Sequence, residues 1–289
     1  MTPYQYMTLP DGRKLSYLEF GNKDGHPVFY FHGAPSSCLE PLVIGEDLFG
    51  KYGIRIISPN RPGIGPSDFQ PNRTFSDWPA DVIALANHLG VEKFSVFGNS
   101  GGGGYVVACA SSIPERLLSA AVISGGWQMN MPETKKHLKF PYSMFWFVAS
   151  NLPFLLPLLL GTMKSNPKES REKAFAQAKK MMASADYEVL IQGNRAEMLS
   201  KAMDEALTDK KGVAWDLKMY AKKMDISLEQ ISFPIIFFHG EQDKNLPIQV
   251  AQKMVAKMPN AKLVTFKEEA HLSCLCNHFT DAAAVLIKR

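Results

Sequence analysis

The stretch from Lys93 to Ser112 limits what this chain can fold into more than any other. An apolar, strand-like run from Phe94 to Phe97 meets Gly98, Asn99, Ser100, Gly101 and Gly102 without a spacer, and a segment suited to a helix follows from Tyr105 to Ser112. Strand, sharp turn and helix succeed one another with no room for a loop. A serine at the apex of such a turn is held in strained backbone geometry with its hydroxyl projected, while glycines two before and two after let strand and helix close together. The role this suits is that of a nucleophile. The four consecutive glycines, Gly101 to Gly104, cost a helix start roughly 1 kcal/mol each against alanine. Something must offset that cost: close packing of the helix on the sheet is favoured over open space for a substrate beside Ser100.

Other strands fall into order around this one. Met7 to Phe20 has the form of a hairpin about Pro10, Asp11 and Gly12, which predicts an antiparallel edge. Pro27 to Phe31 and Ile54 to Ser58 are short apolar runs of the kind found when helices cover both faces of a parallel sheet. Ser76 to Leu89 carries one apolar helical face, at Val82, Leu85, Ala86 and Leu89, and ends at Gly90. Leu117 to Ser124, Phe233 to Phe238 and Ala261 to Phe266 predict three further strands, with a helix over Pro247 to Met258. Asp243 then lies on the loop after one strand and His271 five residues beyond the last, where such sheets keep their functional residues.

With Ser100 on its elbow, Phe31-His32-Gly33-Ala34-Pro35 after one strand, Arg61 to Ser67 after the next, and Asp243 and His271 downstream, the chain resembles the α/β-hydrolase family of serine hydrolases. The resemblance implies an α/β fold: a mostly parallel eight-stranded sheet flanked by helices, with an inserted α-helical cap. It implies Ser100, Asp243 and His271 as catalytic nucleophile, acid and base, and the N–H groups of Ala34 and Gly101 as an oxyanion hole. Glu241, Glu268 and Glu269 compete for the acid's role. His32 and His239 belong to turn motifs and are read as structural. Three departures from the family pattern stand out: Asn60 where an aspartate is usual, glycine at position 101 where a larger residue is common, and Glu268-Glu269-Ala270 before the histidine.

Between Trp127 and Ser227 the strand-helix alternation stops, and ten of the fourteen methionines gather there. This assigns 127–227 to the cap and 1–126 with 228–289 to the hydrolase core. Methionine adapts its shape at small cost, so it serves either a pocket for varied apolar groups or ordinary packing between helices. Within the cap, Phe140 to Met163 contains no charged residue and is bracketed by Lys139 and Lys164. Its length reaches that of a membrane span, but Pro141, Pro153, Pro157 and a mid-chain position favour two short bent helices. Phe145, Trp146, Phe147 and Phe154 are thereby expected to wall the substrate pocket, with at most weak contact to a membrane surface.

A net charge of +4 without a basic run interleaved with aromatics makes nucleic acid a poor partner. Cys38, Cys109, Cys274 and Cys276 form neither a disulfide framework nor a metal-binding spacing. With no signal-like start, this points to a cytoplasmic protein. The expected activity is hydrolysis of an ester with an apolar acyl or aromatic group, through an acyl-enzyme, with no metal or organic cofactor. Two alternatives are carried. One is a proline iminopeptidase-like aminopeptidase, for which Glu133, Glu169, Glu188, Glu197 and Glu205 are candidate amine ligands. The other is a ligand receptor or signalling protein that keeps the fold. Oligomeric state is left open.

Overall fold

The computed structural model describes residues 3–165 and 170–288. The N-terminal hairpin is β1 (Gln5–Thr8) and β2 (Lys14–Gly21), followed by β3 (His26–Phe31). Two short helices, α1 (Pro41–Ile44) and α2 (Glu46–Lys51), lead to β4 (Ile54–Pro59) and α3 (Trp78–His88). The elbow strand β5 (Phe94–Asn99), α4 (Gly102–Ser112) and β6 (Leu117–Ile123) complete the first half. Among the described residues, seven α-helices then intervene: α5 (Pro132–Lys135), α6 (Tyr142–Asn151), α7 (Leu156–Gly161), α8 (Arg171–Met181), α9 (Ser184–Leu190), α10 (Arg195–Ala206) and α11 (Lys210–Ala221). The chain ends with β7 (Ile235–Gly240), α12 (Ile248–Val255), β8 (Ala261–Phe266) and α13 (His271–Leu286).

The eight strands form one sheet in the order β1-β2-β4-β3-β5-β6-β7-β8. β1 and β2 pair antiparallel, as do β2 and β4, and every later pair is parallel. The mostly parallel sheet with an antiparallel edge is the one the sequence predicts. Strand side chains alternate between faces, and here both faces are covered. Phe29, Phe31, Val96 and Val122 meet Val82 and Leu85 of α3 and Val106 of α4 in one core. Val28, Tyr30, Phe97 and Ile123 meet Phe49 of α2 and Leu275, Phe279 and Leu286 of α13 in the other. This double burial is why β3 and β5 read as nearly continuous apolar runs rather than alternating ones.

The carboxyl ends of β3, β5, β7 and β8 lead directly to Gly33, Ser100, Asp243 and His271, so one rim of the sheet collects the chemistry-bearing loops. Met182, Asp186 and Leu199, from the segment between β6 and β7, lie beside Ser100 and His271 at that rim. In the same segment, α11 is tied to the residues of the first half by a buried cluster. Asp216 of α11 accepts from Arg61 Nε at 2.7 Å, and from Arg73 and the Tyr105 hydroxyl. Arg61 also donates to the carbonyls of His32 and Gly33. Among the described residues, no single helix is long and apolar enough to cross a membrane. The uncharged stretch is instead broken into Tyr142–Asn151 and Pro153–Gly161, bent by 111°.

Candidate active site

Ser100 adopts φ +52°, left-handed backbone that a non-glycine residue occupies only when its surroundings force it. The forcing is visible. The Ser100 N–H donates to Ile123 O at 2.9 Å and its carbonyl accepts from Gly103 N–H at 3.0 Å, pinning the turn between β6 and α4. A Cβ on Gly102 would lie 1.9 Å from the carbonyl oxygen of Phe31, and one on Gly98 would lie 2.6 Å from the Gly102 backbone. Strand and helix thus approach to a distance only glycine permits. Position 101 follows the same logic: a Cβ there would meet the Tyr220 ring and hydroxyl at 2.7 Å. Tyr220, from α11, stands where a larger residue after the serine would go. The glycine run therefore serves close packing rather than open floor.

His271 is the first residue of α13, and its Nδ1–H donates to Asp243 Oδ2 at 2.7 Å. The other Asp243 oxygen accepts the N–H groups of Asn245 and Leu246, both at 2.8 Å, so the carboxylate is fixed on both sides and fully buried. Burial alone would lower the His271 pKa, but the carboxylates of Asp243, Asp186 and Glu40 more than reverse this and hold it at about 8. Ser100 and His271 line one cavity of about 170 Å³, together with Gly33, Ala34, Glu40, Met182, Asp186 and Leu199. Among the hydrogen bonds of the described residues, none engages Ser100 Oγ or His271 Nε2, and none uses the N–H of Ala34 or Gly101. Four groups with free capacity thus sit at the same rim, and such contacts commonly tighten only once substrate is bound.

The competing carboxylates are engaged elsewhere: Glu241 with the Thr265 hydroxyl, Glu268 with Gln242, and Glu269 with Asn277 and His278. His32 is buried with its Nδ1 against Gly33 O, and His239 donates from Nε2 to Leu246 O at 2.7 Å. Asn60 accepts the Cys38 N–H at 2.8 Å and donates to the Ser16 hydroxyl, a turn-holding role that needs no charge.

Two carboxylates in the cavity escaped sequence reasoning. Glu40 is buried and accepts the Tyr30 hydroxyl at 2.8 Å and the Gly33 N–H at 3.0 Å, and burial raises its pKa. Asp186, on α9, accepts the N–H of His271 at 3.3 Å, of Leu272 at 2.8 Å and of Ser273 at 2.9 Å. No spacing marks either residue, since both reach the site only through tertiary contact.

Of the four aromatics expected to wall the pocket, Phe145, Trp146, Phe147 and Phe154, none lines this cavity. Phe145 and Trp146 lie against the main core, while Phe147 and Phe154 face outward. An uncharged run looks the same from sequence whichever way its faces turn; here the cavity residues from the segment between β6 and β7 are Met182, Asp186 and Leu199. The candidate amine ligands fare no better. Glu188 and Glu197 are exposed, Glu133 pairs with Lys257, and Glu205 accepts the Ser37 hydroxyl; none lines the cavity, and Glu169 lies outside the described residues. Among the described residues, no group of three or more His, Cys, Asp or Glu could hold a metal ion.

Comparison with known proteins places this geometry in context. A family model described as alpha/beta hydrolase fold matches residues 26–277. The bifunctional esterase/perhydrolase DCH of Acinetobacter calcoaceticus is 24% identical over 271 residues, covering 92% of either chain. A probable proline iminopeptidase of Leptolyngbya boryana is 25% identical over 196 residues, 65% of this chain and 57% of its own length. Among solved structures, a bromoperoxidase from Bacillus anthracis superposes with a TM-score of 0.71 at 19% identity, covering 99% of this chain and 100% of its own.

Proposed function

The chain belongs to the α/β-hydrolase fold family, and from that premise we propose that it is a serine hydrolase that cleaves carboxylic esters through an acyl-enzyme. One observation carries the reading. Ser100, strained on its elbow, lines the same cavity as His271, whose far nitrogen is held by buried Asp243. Ser100 Oγ attacks the ester carbonyl while His271 Nε2 takes its proton, and Asp243 fixes the tautomer that leaves Nε2 unprotonated beforehand. The amides of Ala34 and Gly101 hold the oxyanion. His271 then protonates the departing alkoxide, and water, deprotonated by the same nitrogen, releases the acid and restores Ser100. Residues 127–227 act as the cap over a core of 1–126 and 228–289, and supply Met182 and Leu199 as apolar wall.

The ester reading is favoured over release of an N-terminal residue by how the cavity's carboxylates are used. A substrate ammonium group needs a free carboxylate, whereas Glu40 and Asp186 already accept two and three protein donors. The test is turnover of p-nitrophenyl esters from acetate to long acyl chains, alongside prolyl p-nitroanilide, by the native chain and Ser100→Ala. Ester turnover that falls by several orders of magnitude in the variant supports the reading. Prolyl release instead moves it to the aminopeptidase, and no Ser100-dependent turnover moves it to the receptor.

A further inference from the structure

Helices α6 and α7 form a V whose inner side is built into the protein and whose outer side is apolar yet uncovered. Phe140 lies just before α6, Met144 and Phe147 lie one helical turn apart on it, and Phe154 and Leu158 follow past the bend, all of them exposed. Their exposures are large for such side chains: 77% for Phe140, 52% for Phe147, 74% for Phe154 and 72% for Leu158. The opposite side of the same helices is fixed, with Ala149, Leu156 and Leu160 fully buried in the main core. The outward aromatics are therefore held there by packing behind them. A soluble surface seldom leaves so many large apolar side chains together without an occupant.

The charges around the patch decide which occupant. From 134 to 165 the chain carries Lys135, Lys136, Lys139 and Lys164 and no acidic residue, so this segment alone equals the net charge of +4 of the whole chain. All four lysines are exposed. A second copy docking the same face through a two-fold axis would set lysines against lysines. An anionic bilayer surface complements both features at once, with aromatic and aliphatic side chains at the headgroup boundary and lysines among the phosphates. The V lies on such a surface rather than crossing it, because α6 has 10 residues and the bend of 111° turns the chain back.

We propose that the α6–α7 hairpin docks this protein on lipid bilayers bearing anionic headgroups, with Phe140, Phe147, Phe154 and Leu158 entering the interface and the flanking lysines binding the phosphates. This goes beyond the hydrolase reading and does not depend on Ser100.

The experiment is co-sedimentation with phosphatidylcholine vesicles, with and without phosphatidylglycerol, at low and high salt. The native chain and Ser100→Ala bind the anionic vesicles alike, and binding weakens with salt. In the triple variant Phe147→Ser, Phe154→Ser, Leu158→Ser, partitioning falls by about tenfold or more. Lys135→Glu with Lys139→Glu, which leaves the apolar face intact, lowers it on anionic vesicles by a similar factor. Turnover of a soluble ester and the circular dichroism spectrum report that the variants remain folded. Failure of the native chain to bind anionic vesicles overturns the proposal, as does equal binding by the variants. A dimer in sedimentation velocity that the triple variant abolishes, without vesicle binding, overturns it in favour of a second copy.

Discussion

Replacing Asp186 by asparagine should move the acid limb of the pH–rate profile, because this side chain comes from α9 yet ends in the first turn of α13. The first N–H groups of a helix have no partner within it, and in α13 those of His271, Leu272 and Ser273 all donate to the Asp186 carboxylate. Asparagine keeps an oxygen for Leu272 and Ser273 but removes the negative charge. Burial lowers the His271 pKa, and Asp243, Asp186 and Glu40 raise it to about 8; the neighbouring His239 is kept neutral by burial, and Tyr142 stays protonated. Losing one of three carboxylates should lower the His271 pKa by about one unit. The base must be neutral to act, so activity rises with pH through that pKa, and near pH 7 the competent fraction grows from about one tenth to about one half. Asp186→Asn should thus show kcat/KM with an acid limb displaced toward lower pH, even if its plateau falls. Asp186→Ala strands three amides, and at about 1.5–3 kcal/mol for each of the two short bonds, to Leu272 and Ser273, the penalty should reach about 3–6 kcal/mol in urea denaturation. An unmoved limb in Asp186→Asn, or a loss below about 1 kcal/mol in Asp186→Ala, would refute the role assigned to this side chain.

Other substitutions probe the scaffold. Gly101→Ala should lower stability by about 1–3 kcal/mol through its clash with Tyr220. Tyr220→Phe should not relieve it, because the ring carbon is as close as the hydroxyl; thermal denaturation of the single and double variants checks this. Asp216→Asn leaves Arg61 and Arg73 buried without their counter-charge, and about 3–5 kcal/mol of stability should go. The same pair explains acid behaviour. Burial raises the Asp216 pKa, but Arg61 and Arg73 bring it down to about 2. Its stabilising share is therefore complete above the ordinary carboxylate pKa and is lost as pH falls through about 2; in Asp216→Asn the slope of stability against pH over that window should flatten.

Particular residues show why part of this was legible in the sequence. The β1–β2 hairpin, the buried runs of β3 and β5, and the glycines about Ser100 are local patterns, since turn residues, continuous apolar runs and sterically forced glycine leave marks within a few residues. Asp243 and His271 could be nominated because each follows a strand, although their mutual contact is set by α13, whose start at His271 had no clear local signal. Glu40 and Asp186 were invisible because an isolated carboxylate looks solvated until the fold brings donors to it. The outward turn of Phe147 on α6 and of Phe154 beyond it was hidden for a related reason: hydrophobicity gives a face but not what it faces.

Everything proposed for the site turns on Ser100 being a nucleophile activated by His271. Incubating the native chain with a fluorophosphonate and locating the adduct by mass spectrometry of its peptides tests it directly. One adduct per chain is expected, on Ser100, absent in Ser100→Ala and formed at least about a hundredfold more slowly in His271→Ala. Labelling on another residue, or ester turnover that persists undiminished in Ser100→Ala, would contradict it.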